Sequence, residues 1–201
     1  MNLTKTILVG VVNFLATISL FSANITIIES QSIHPLHKMD ENWQNMALSL
    51  GYNATISPQQ FLDDINNLSN SDILIISSGL INLPENRQQT IRQFVEQGGN
   101  LYIQSEYLVN LPGNQIFSYL VNNLGGSFTW DGELAGSLAP MNIVGDLANN
   151  FNNVTSLTYF WYGTHGSGNE TIHSFLEFNG MDWGFTFCPV TPTYGKIITT
   201  S

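Results

Sequence analysis

Charged residues are scarce in this sequence, and basic residues are the scarcest. Only 10% of the 201 residues are charged, and 5 basic residues stand against 15 acidic ones, which gives a formal net charge of −10. The basic residues are scattered along the chain at Lys5, Lys38, Arg87, Arg92 and Lys196. Binding to nucleic acid or to an anionic membrane surface needs several clustered cations. The sequence therefore argues against nucleic acid as a partner and against adsorption to an anionic membrane.

Cysteine is nearly absent as well, because Cys188 is the only one. The chain can form no intramolecular disulfide, so it has to fold on its hydrophobic core alone. A chain of 201 residues with 43% hydrophobic residues is long enough and apolar enough to build such a core. Glycine-rich loops of the P-loop or dinucleotide-binding type are also missing. We therefore expect no cofactor.

The start of the chain has the pattern of a secretory signal peptide. Lys5 precedes an apolar run over 7–20, and small residues follow up to Ala23. A charged start, an apolar middle and a small-residue end are typical of such leaders. A membrane-spanning helix needs about 20 apolar residues, and Asn13 interrupts this run. We predict a signal peptide over 1–23, a secreted or cell-surface location, and no membrane span after cleavage.

Strands alternate with helices over residues 24–130. The segments "NITIIES", "DILIISSG" and "NLYIQ" are β-branched or apolar runs typical of buried parallel strands. Between and after them, "DENWQNMALSLG" (with Asp40 as its cap), "SPQQFLDDINNL", the segment after Pro84 and "NQIFSYLVNNLGG" carry apolar residues at helical spacing. This alternation predicts an α/β fold with a doubly wound, mostly parallel sheet and helices on both faces.

Residues 131–201 differ, because short strand-like runs joined by Gly, Asn and Pro replace the helices. We predict a β-rich C-terminal part, either an antiparallel extension of the sheet or a small separate lobe. Together with the βαβ core over 24–130 it would form one domain over 24–201. The last strand, "GKIITTS", has no helix after it, so we expect the natural protein to continue beyond Ser201.

The order of these elements resembles the class I glutamine amidotransferase-like fold, a flavodoxin-like α/β fold, in the divergent form seen in secreted bacterial proteins. The resemblance rests on "DILIISSG", a helix, "GGNLYIQSEY", a second helix and the late "GKIITTS" strand. It covers residues 24–130 well and the last strand less well.

Active members of that family carry a nucleophile between two small residues, directly after the strand that corresponds to "NLYIQ". The resemblance places this position on Ser105, where the flanking residues are Ile103 and Tyr107. A strained nucleophile turn needs small flanking residues, so both positions depart from the pattern. The cysteine that the family usually has there and its late His-x-Glu pair are missing. We expect Ser105 to be the polar end of a strand.

A hydrolase remains the alternative. It would combine Ser105 and Glu106 with His165 or His173, in the order Ser, Glu, His. The resemblance also places the family's oxyanion-side loop at Ser78 and Gly79, although an ordinary strand–helix turn is the favoured explanation of "SSGL".

Two further groups of residues are candidates for binding. Tyr159, Trp161 and Trp183 lie in aromatic-rich strands, where exposed rings would stack on sugars and buried rings would belong to the core. "HPLHKMD" places His34, His37 and Asp40 at short spacing, and two histidines with a carboxylate are zinc ligands. No fourth ligand is visible, so the main expectation is an ordinary loop and no metal.

The function predicted from the sequence is therefore an exported, non-catalytic α/β module. It would act in binding, with a protein or glycan partner, or as a structural part of a larger secreted or cell-surface protein. The alternatives are the Ser105 hydrolase and a carbohydrate-binding module that uses exposed aromatic residues.

Overall fold

The computed structural model describes residues 22–30, 38–135, 139–145, 148, 156–159 and 162–200. Within these ranges lie three α-helices, α1 Asp40–Ser49, α2 Glu85–Glu96 and α3 Pro112–Asn123. The strands are β1 Asn24–Ile28, β2 Asn53–Ser57, β3 Ile73–Ile76, β4 Asn100–Gln104, β5 Phe128–Ala135, β6 Ala139–Ile143, β7 Ser156–Tyr159, β8 Tyr162–Gly168, β9 Ile172–Phe178, β10 Met181–Phe187 and β11 Ile197–Thr200. The predicted leader lies outside the described residues except for its last two positions.

One half of the main sheet is parallel. Its strand order is β2-β1-β3-β4-β11, and each neighbouring pair runs in the same direction. Ile27 of β1 lies opposite Ile56 of β2 and Ile75 of β3. The prediction that the apolar runs form parallel strands is confirmed for β1, β3 and β4, which are also neighbours in the sheet. Their continuous apolar sequences suit a position with packing on both faces.

The other half of the sheet is antiparallel. It continues from β11 in the order β10-β9-β6-β7. Strands β5 and β8 form a separate two-stranded antiparallel sheet. Of the two arrangements predicted for the β-rich part, the structure shows the extension of the sheet, with the β5–β8 pair beside it.

Helices pack against both faces of the parallel half. Ala47 of α1 is buried against Ile25, Ile27 and Ile75 on one face. On the other face a larger core holds side chains of α2 and α3, including Phe94 and Phe117, together with Leu74 and Leu101 of the sheet, among other residues. The two cores follow from strand alternation, because successive side chains point to opposite faces.

The segment after β2 departs from the sequence prediction. "SPQQFLDDINNL" forms two 3₁₀ helices, Gln59–Asp63 and Ile65–Leu68, and not an α-helix. Asp64 separates them with extended backbone angles, and its carboxylate accepts a hydrogen bond from the Asn66 backbone N–H. Such local side-chain bonds compete with regular helix formation. The prediction of a continuous α-helix was wrong. The two short 3₁₀ helices cover less of the sheet than one α-helix would.

One other expectation needs correction. Asp40 is the first residue of α1 and does not cap it, because its side chain points to the sheet. Cys188 is half-buried and lies just beyond β10. No helix in the described part of the chain is both long and apolar enough to cross a membrane.

Candidate functional site

The carboxyl edge of the parallel strands is the place to look for a site. In open α/β sheets, ligands bind outside the carboxyl ends of the strands. Small polar residues occur directly after or close behind β1, β3 and β4 here, and Thr199 lies near the end of β11. Several of them are buried, namely Ser30, Ser77, Ser78, Ser105 and Thr199. We call these residues, with Asp40, Glu106, Asn114 and Thr164 that contact this side of the sheet, the carboxyl edge.

Asp40 ties β1 to β3. Its carboxylate is only 1% exposed. One oxygen accepts hydrogen bonds from the backbone N–H and the hydroxyl of Ser30, both at 3.0 Å. The other oxygen accepts a short hydrogen bond from the Ser77 hydroxyl. Donors on both sides compensate the burial of this carboxyl group, and they fasten the start of α1 to the ends of the two strands.

Ser105 is held in the same closed manner. The residue is 1% exposed, and its hydroxyl lies 2.5 Å from the Thr199 hydroxyl. The Thr199 hydroxyl in turn donates to the carbonyl of Ile103 at 2.8 Å. The order of donors is therefore fixed, because Thr199 uses its proton on Ile103 and accepts the proton of Ser105.

The turn after β4 is fastened by one buried side chain, Asn114 of α3. Its amide oxygen accepts from the Glu106 N–H at 2.8 Å. Its amide nitrogen donates to the carbonyls of Glu106 at 2.9 Å and Leu108 at 2.8 Å. The hydroxyl of Thr164 in β8 also donates to the Glu106 carbonyl, at 2.6 Å. Asn114 and Thr164 are fully buried and hold the turn in one geometry.

Two glycines allow three backbone segments to meet at this edge. The Gly113 N–H donates to the Gly79 carbonyl at 2.7 Å. A Cβ atom at Gly113 would lie 2.3 Å from the Gln104 carbonyl oxygen, and one at Gly79 would lie 2.3 Å from the Glu106 Cγ. The loop of Ser78 and Gly79 is thus packed against the turn after β4, and Ser78 is 2% exposed.

His165 does not complete the triad of the alternative hydrolase hypothesis. Successive side chains of β8 alternate in direction, and Thr164 faces the Glu106 carbonyl. His165 therefore points away from the turn after β4, and its ring lies at an angle to Trp183, with ring centroids 5.6 Å apart. His173 lies in β9 and is exposed.

The aromatic candidates do not form a row in the described part of the chain. Trp183 is 2% exposed, and its indole N–H donates to the Phe178 carbonyl at 3.3 Å. It is a core residue, which is the alternative stated above for buried rings, and its ring is not available to stack on a sugar. Tyr159 lies in β7, where only its backbone is described. Trp161 lies outside the described residues.

Only one of the three metal candidates, Asp40, lies among the described residues. His34 and His37 lie outside the described residues. Asp40 points to Ser30 and Ser77, which are hydrogen-bond donors to it. Within the described ranges, no group of three or more His, Cys, Asp or Glu residues is arranged to hold a metal ion.

A phenol lies on the opposite face of β4. The Tyr102 hydroxyl lies 2.7 Å from the Gln104 amide oxygen and 2.8 Å from the Thr200 hydroxyl. Burial raises the pKa of Tyr102 to about 12. The phenol therefore stays protonated at neutral pH and serves as a hydrogen-bonding link between β4 and β11.

Sequence reasoning missed Asn114, Thr164 and Thr199. Asn114 had a visible signal, because it lies on the same helical stripe as Phe117 and Val121. A polar residue on an apolar stripe indicates a buried hydrogen bond. Thr164 and Thr199 had no such signal, since their partners come from other parts of the chain.

Comparisons with known proteins bear on the fold. No family model and no curated sequence matches the chain. Among solved structures, the N-terminal domain of mmIFT52 is 10% identical with a TM-score of 0.65, and the match covers 89% of this chain and 86% of that one. A ThuA-like protein from Bacteroides uniformis is 12% identical with a TM-score of 0.58, covering 89% and 80%.

A GMP synthase subunit-like protein from Thermoplasma acidophilum is 14% identical. Its TM-score is 0.53, and the match covers 90% of this chain and 83% of that one. The fold is flavodoxin-like. ThuA-like proteins have the class I glutamine amidotransferase-like fold, so the resemblance stated from the sequence is confirmed at the level of the fold. At these identities the likeness shows the fold alone.

Proposed function

We propose that the chain is an exported, non-catalytic α/β module that acts in binding or as a structural part of a larger secreted or cell-surface protein. The observation that carries the non-catalytic part is the hydrogen bonding of Ser105. Its hydroxyl is buried and donates to Thr199, which donates to the Ile103 carbonyl. A catalytic serine gives its proton to a base. Here the chain of donors ends on a backbone carbonyl, which cannot take up a proton.

The surroundings of Ser105 support the same proposal. A substrate carbonyl has to approach a nucleophile to about 3–3.5 Å. Ser105 is 1% exposed, and the loop of Gly79 and the start of α3 pack over the neighbouring turn. The edge would have to open, and Asn114 would have to release the Glu106 backbone, before a substrate reached the hydroxyl.

The remaining parts of the proposal rest on the sequence. Export rests on the leader pattern over 1–23, and a protein or glycan partner is proposed because the chain is poor in cations. We also propose that the sheet belongs to the doubly wound class. This is supported by α1 on one face and by α2 and α3 on the other.

The non-catalytic proposal is tested by screening the purified chain with esterase, amidase and glutaminase substrates. The expected result is no turnover above the buffer rate in the parent chain. The Ser105→Ala variant and the exposed-serine control Ser127→Ala should match the parent. Turnover that disappears in Ser105→Ala and persists in Ser127→Ala, with both folds intact by circular dichroism, would replace the proposal with the hydrolase.

Export is tested separately by expressing the gene in a secreting host and measuring the intact mass of the product outside the cells. Cleavage near Ala23 is expected. A secreted product that retains Met1, or a chain that stays entirely inside the cells, would contradict the export part and leave the non-catalytic part standing.

A further inference from the structure

An open cavity of about 340 Å³ lies over β1 and β2, away from the carboxyl edge. It is lined by residues that include Asn24, Thr26, Asn53, Thr55, Phe61 and Asn70. We call it the β1–β2 cavity. It exists because the segment after β2 forms short 3₁₀ helices, which cover this part of the sheet incompletely. Its volume is at the lower end of the range for small-ligand sites.

The floor of the β1–β2 cavity is polar where the adjoining sheet is aliphatic. Thr26 of β1 lies opposite Leu74 of β3 on one side and Thr55 of β2 on the other. Asn24 and Asn53 form the next pair on the same face. Leu74 is buried in the main core, whereas Thr55 and Asn53 are exposed. The change from leucine to threonine and asparagine marks where the core ends and the cavity begins.

Several polar atoms in the cavity have no hydrogen-bond partner among the residues that the structure describes. The side chains of Thr55 and Asn70 are exposed and make no hydrogen bond to other described residues. The Asn53 amide nitrogen donates to the Asn24 amide oxygen at 3.0 Å. That bond leaves the Asn53 oxygen and the Asn24 nitrogen available to a ligand. The cavity therefore offers donors and acceptors side by side.

The lining carries no charge, and this determines the class of ligand. All of the lining side chains are amides, hydroxyls or apolar groups. Arg87, the cation that contacts the 3₁₀ segment after β2, is not among the lining residues and is paired with Asp63 at 2.7 Å. The Asp72 carboxylate accepts a bond from the Asn24 N–H at 2.8 Å, which places a negative charge beside the cavity. Phosphates and carboxylates would find no cationic partner among the described residues that line the cavity.

We infer that the β1–β2 cavity binds a neutral saccharide. Each sugar hydroxyl is both a donor and an acceptor, which matches adjacent asparagine amides and threonine hydroxyls. The half-buried ring of Phe61 supplies an apolar wall for the C–H groups of a pyranose. The site is separate from the aromatic strands considered above. The inference does not depend on the absence of catalysis.

The test begins with mapping. The ¹⁵N-labelled 201-residue chain is titrated to about 50 mM with glucose, galactose, mannose, N-acetylglucosamine and cellobiose, because single small sites of this kind bind weakly. Glucuronate and glucose 6-phosphate serve as charged comparators. The expected result is a set of amide shifts for at least one neutral sugar, centred on β1, β2 and the segment around Asn70, with smaller shifts for the charged sugars.

Variants then test the assignment. Thr55→Val removes one hydroxyl at constant size and should weaken binding about fivefold, as expected for one lost hydrogen bond. Thr55→Phe fills the cavity and should abolish the shifts. Thr129→Val, which removes an exposed strand threonine in β5, should leave the affinity unchanged. If Thr55→Phe fails to fold, the mapping and Thr55→Val decide.

Each other outcome overturns the inference. Absence of shifts with every neutral sugar, shifts centred away from the cavity, or an unchanged affinity in Thr55→Val would refute the site. A stronger response to glucuronate or to glucose 6-phosphate would refute the class of ligand. None of these results alters the hydrolase screen, so the two proposals fail independently.

Discussion

The carboxyl edge and the β1–β2 cavity are built from the same kinds of residue, yet they differ in how their polar groups are satisfied. At the edge, Ser105 and Asp40 are 1% exposed and bind to other side chains. In the cavity, Thr55 and Asn70 are exposed and without partners among the described residues. A serine or threonine in or next to a strand is thus insufficient to indicate a ligand site. A site needs hydrogen-bond donors and acceptors that have no partner within the protein.

The cause of the difference is the packing above each region. At the edge, Gly79 and Gly113 let backbone segments approach so closely that water is excluded, and every buried donor then needs an internal partner. Above the cavity, the 3₁₀ segments leave the sheet open to water. Water can satisfy the exposed polar atoms there, so they do not require internal partners.

The comparison is tested most strongly by Asp40→Ala. This variant leaves the Ser30 and Ser77 donors buried without their acceptor, so we expect the free energy of unfolding to fall by about 3 kcal/mol. Urea denaturation of the variant and of Glu41→Ala, an exposed carboxylate in the same helical turn, measures the difference. A loss no greater than that of Glu41→Ala would show that the edge is not held closed by its hydrogen bonds.

A smaller loss is expected for Gly113→Ala. The added Cβ would meet backbone atoms of Gln104 and Gly79, which cannot move independently, and we expect a destabilisation of about 2 kcal/mol. Gln115→Ala, at an exposed position of the same helix, is the control for helix propensity. Equal stability of the two variants in thermal or urea unfolding would contradict the close approach at this edge.

Ser105→Ala should cost about 1 kcal/mol, since one buried hydrogen bond is lost and Thr199 retains its bond to Ile103. The same urea measurement applies, with Ser127→Ala as the exposed control. A stabilised Ser105→Ala variant would mean that the hydroxyl is strained in the folded chain, as expected of a functional group and not of a structural one.

The smallest effect is expected in the open region. Thr55→Val should change the free energy of unfolding by no more than about 0.5 kcal/mol, because the hydroxyl has no internal partner to lose. Thr26 lies on the floor of the same cavity, and its hydroxyl lies 2.6 Å from that of Ser71. Thr26→Val should therefore lower the free energy of unfolding by about 1 kcal/mol. An equal loss of unfolding free energy in the two variants would show that a hydroxyl with an internal partner contributes no more to stability than one without.

The parallel strands could be predicted because their signal is local. Continuous apolar runs such as "DILII" and "NLYI" suit only positions with packing on both faces. The 3₁₀ segment could not be predicted from its apolar stripe, because the decisive contact is the local hydrogen bond that the Asn66 N–H donates to the Asp64 carboxylate. This bond interrupts the helix at Asp64.

The sites show the same limit. The position of Ser105 at the end of a strand follows from the pattern of β4, but its partner Thr199 is 94 residues away, and no local pattern connects the two. The cavity did leave a trace in the sequence. "NIT" in β1 and "NAT" in β2 place asparagine and threonine on the same face at the same register. Reading the two strands together would have indicated a polar floor.

The pairing of β4 with β11 has a consequence for how the chain folds. These strands are neighbours in the sheet, although they are separated by α3, by the β5–β8 pair and by strands β6, β7, β9 and β10. During synthesis at about 5–20 residues per second, β4 would leave the ribosome roughly 5 to 20 s before β11. Throughout that interval, one side of β4 presents unpaired backbone groups in the middle of the future sheet, and such an edge is a template for aggregation. The nascent chain is therefore most prone to aggregation at β4. That strand becomes an interior strand of the sheet once Ile197 of β11 pairs with Leu101.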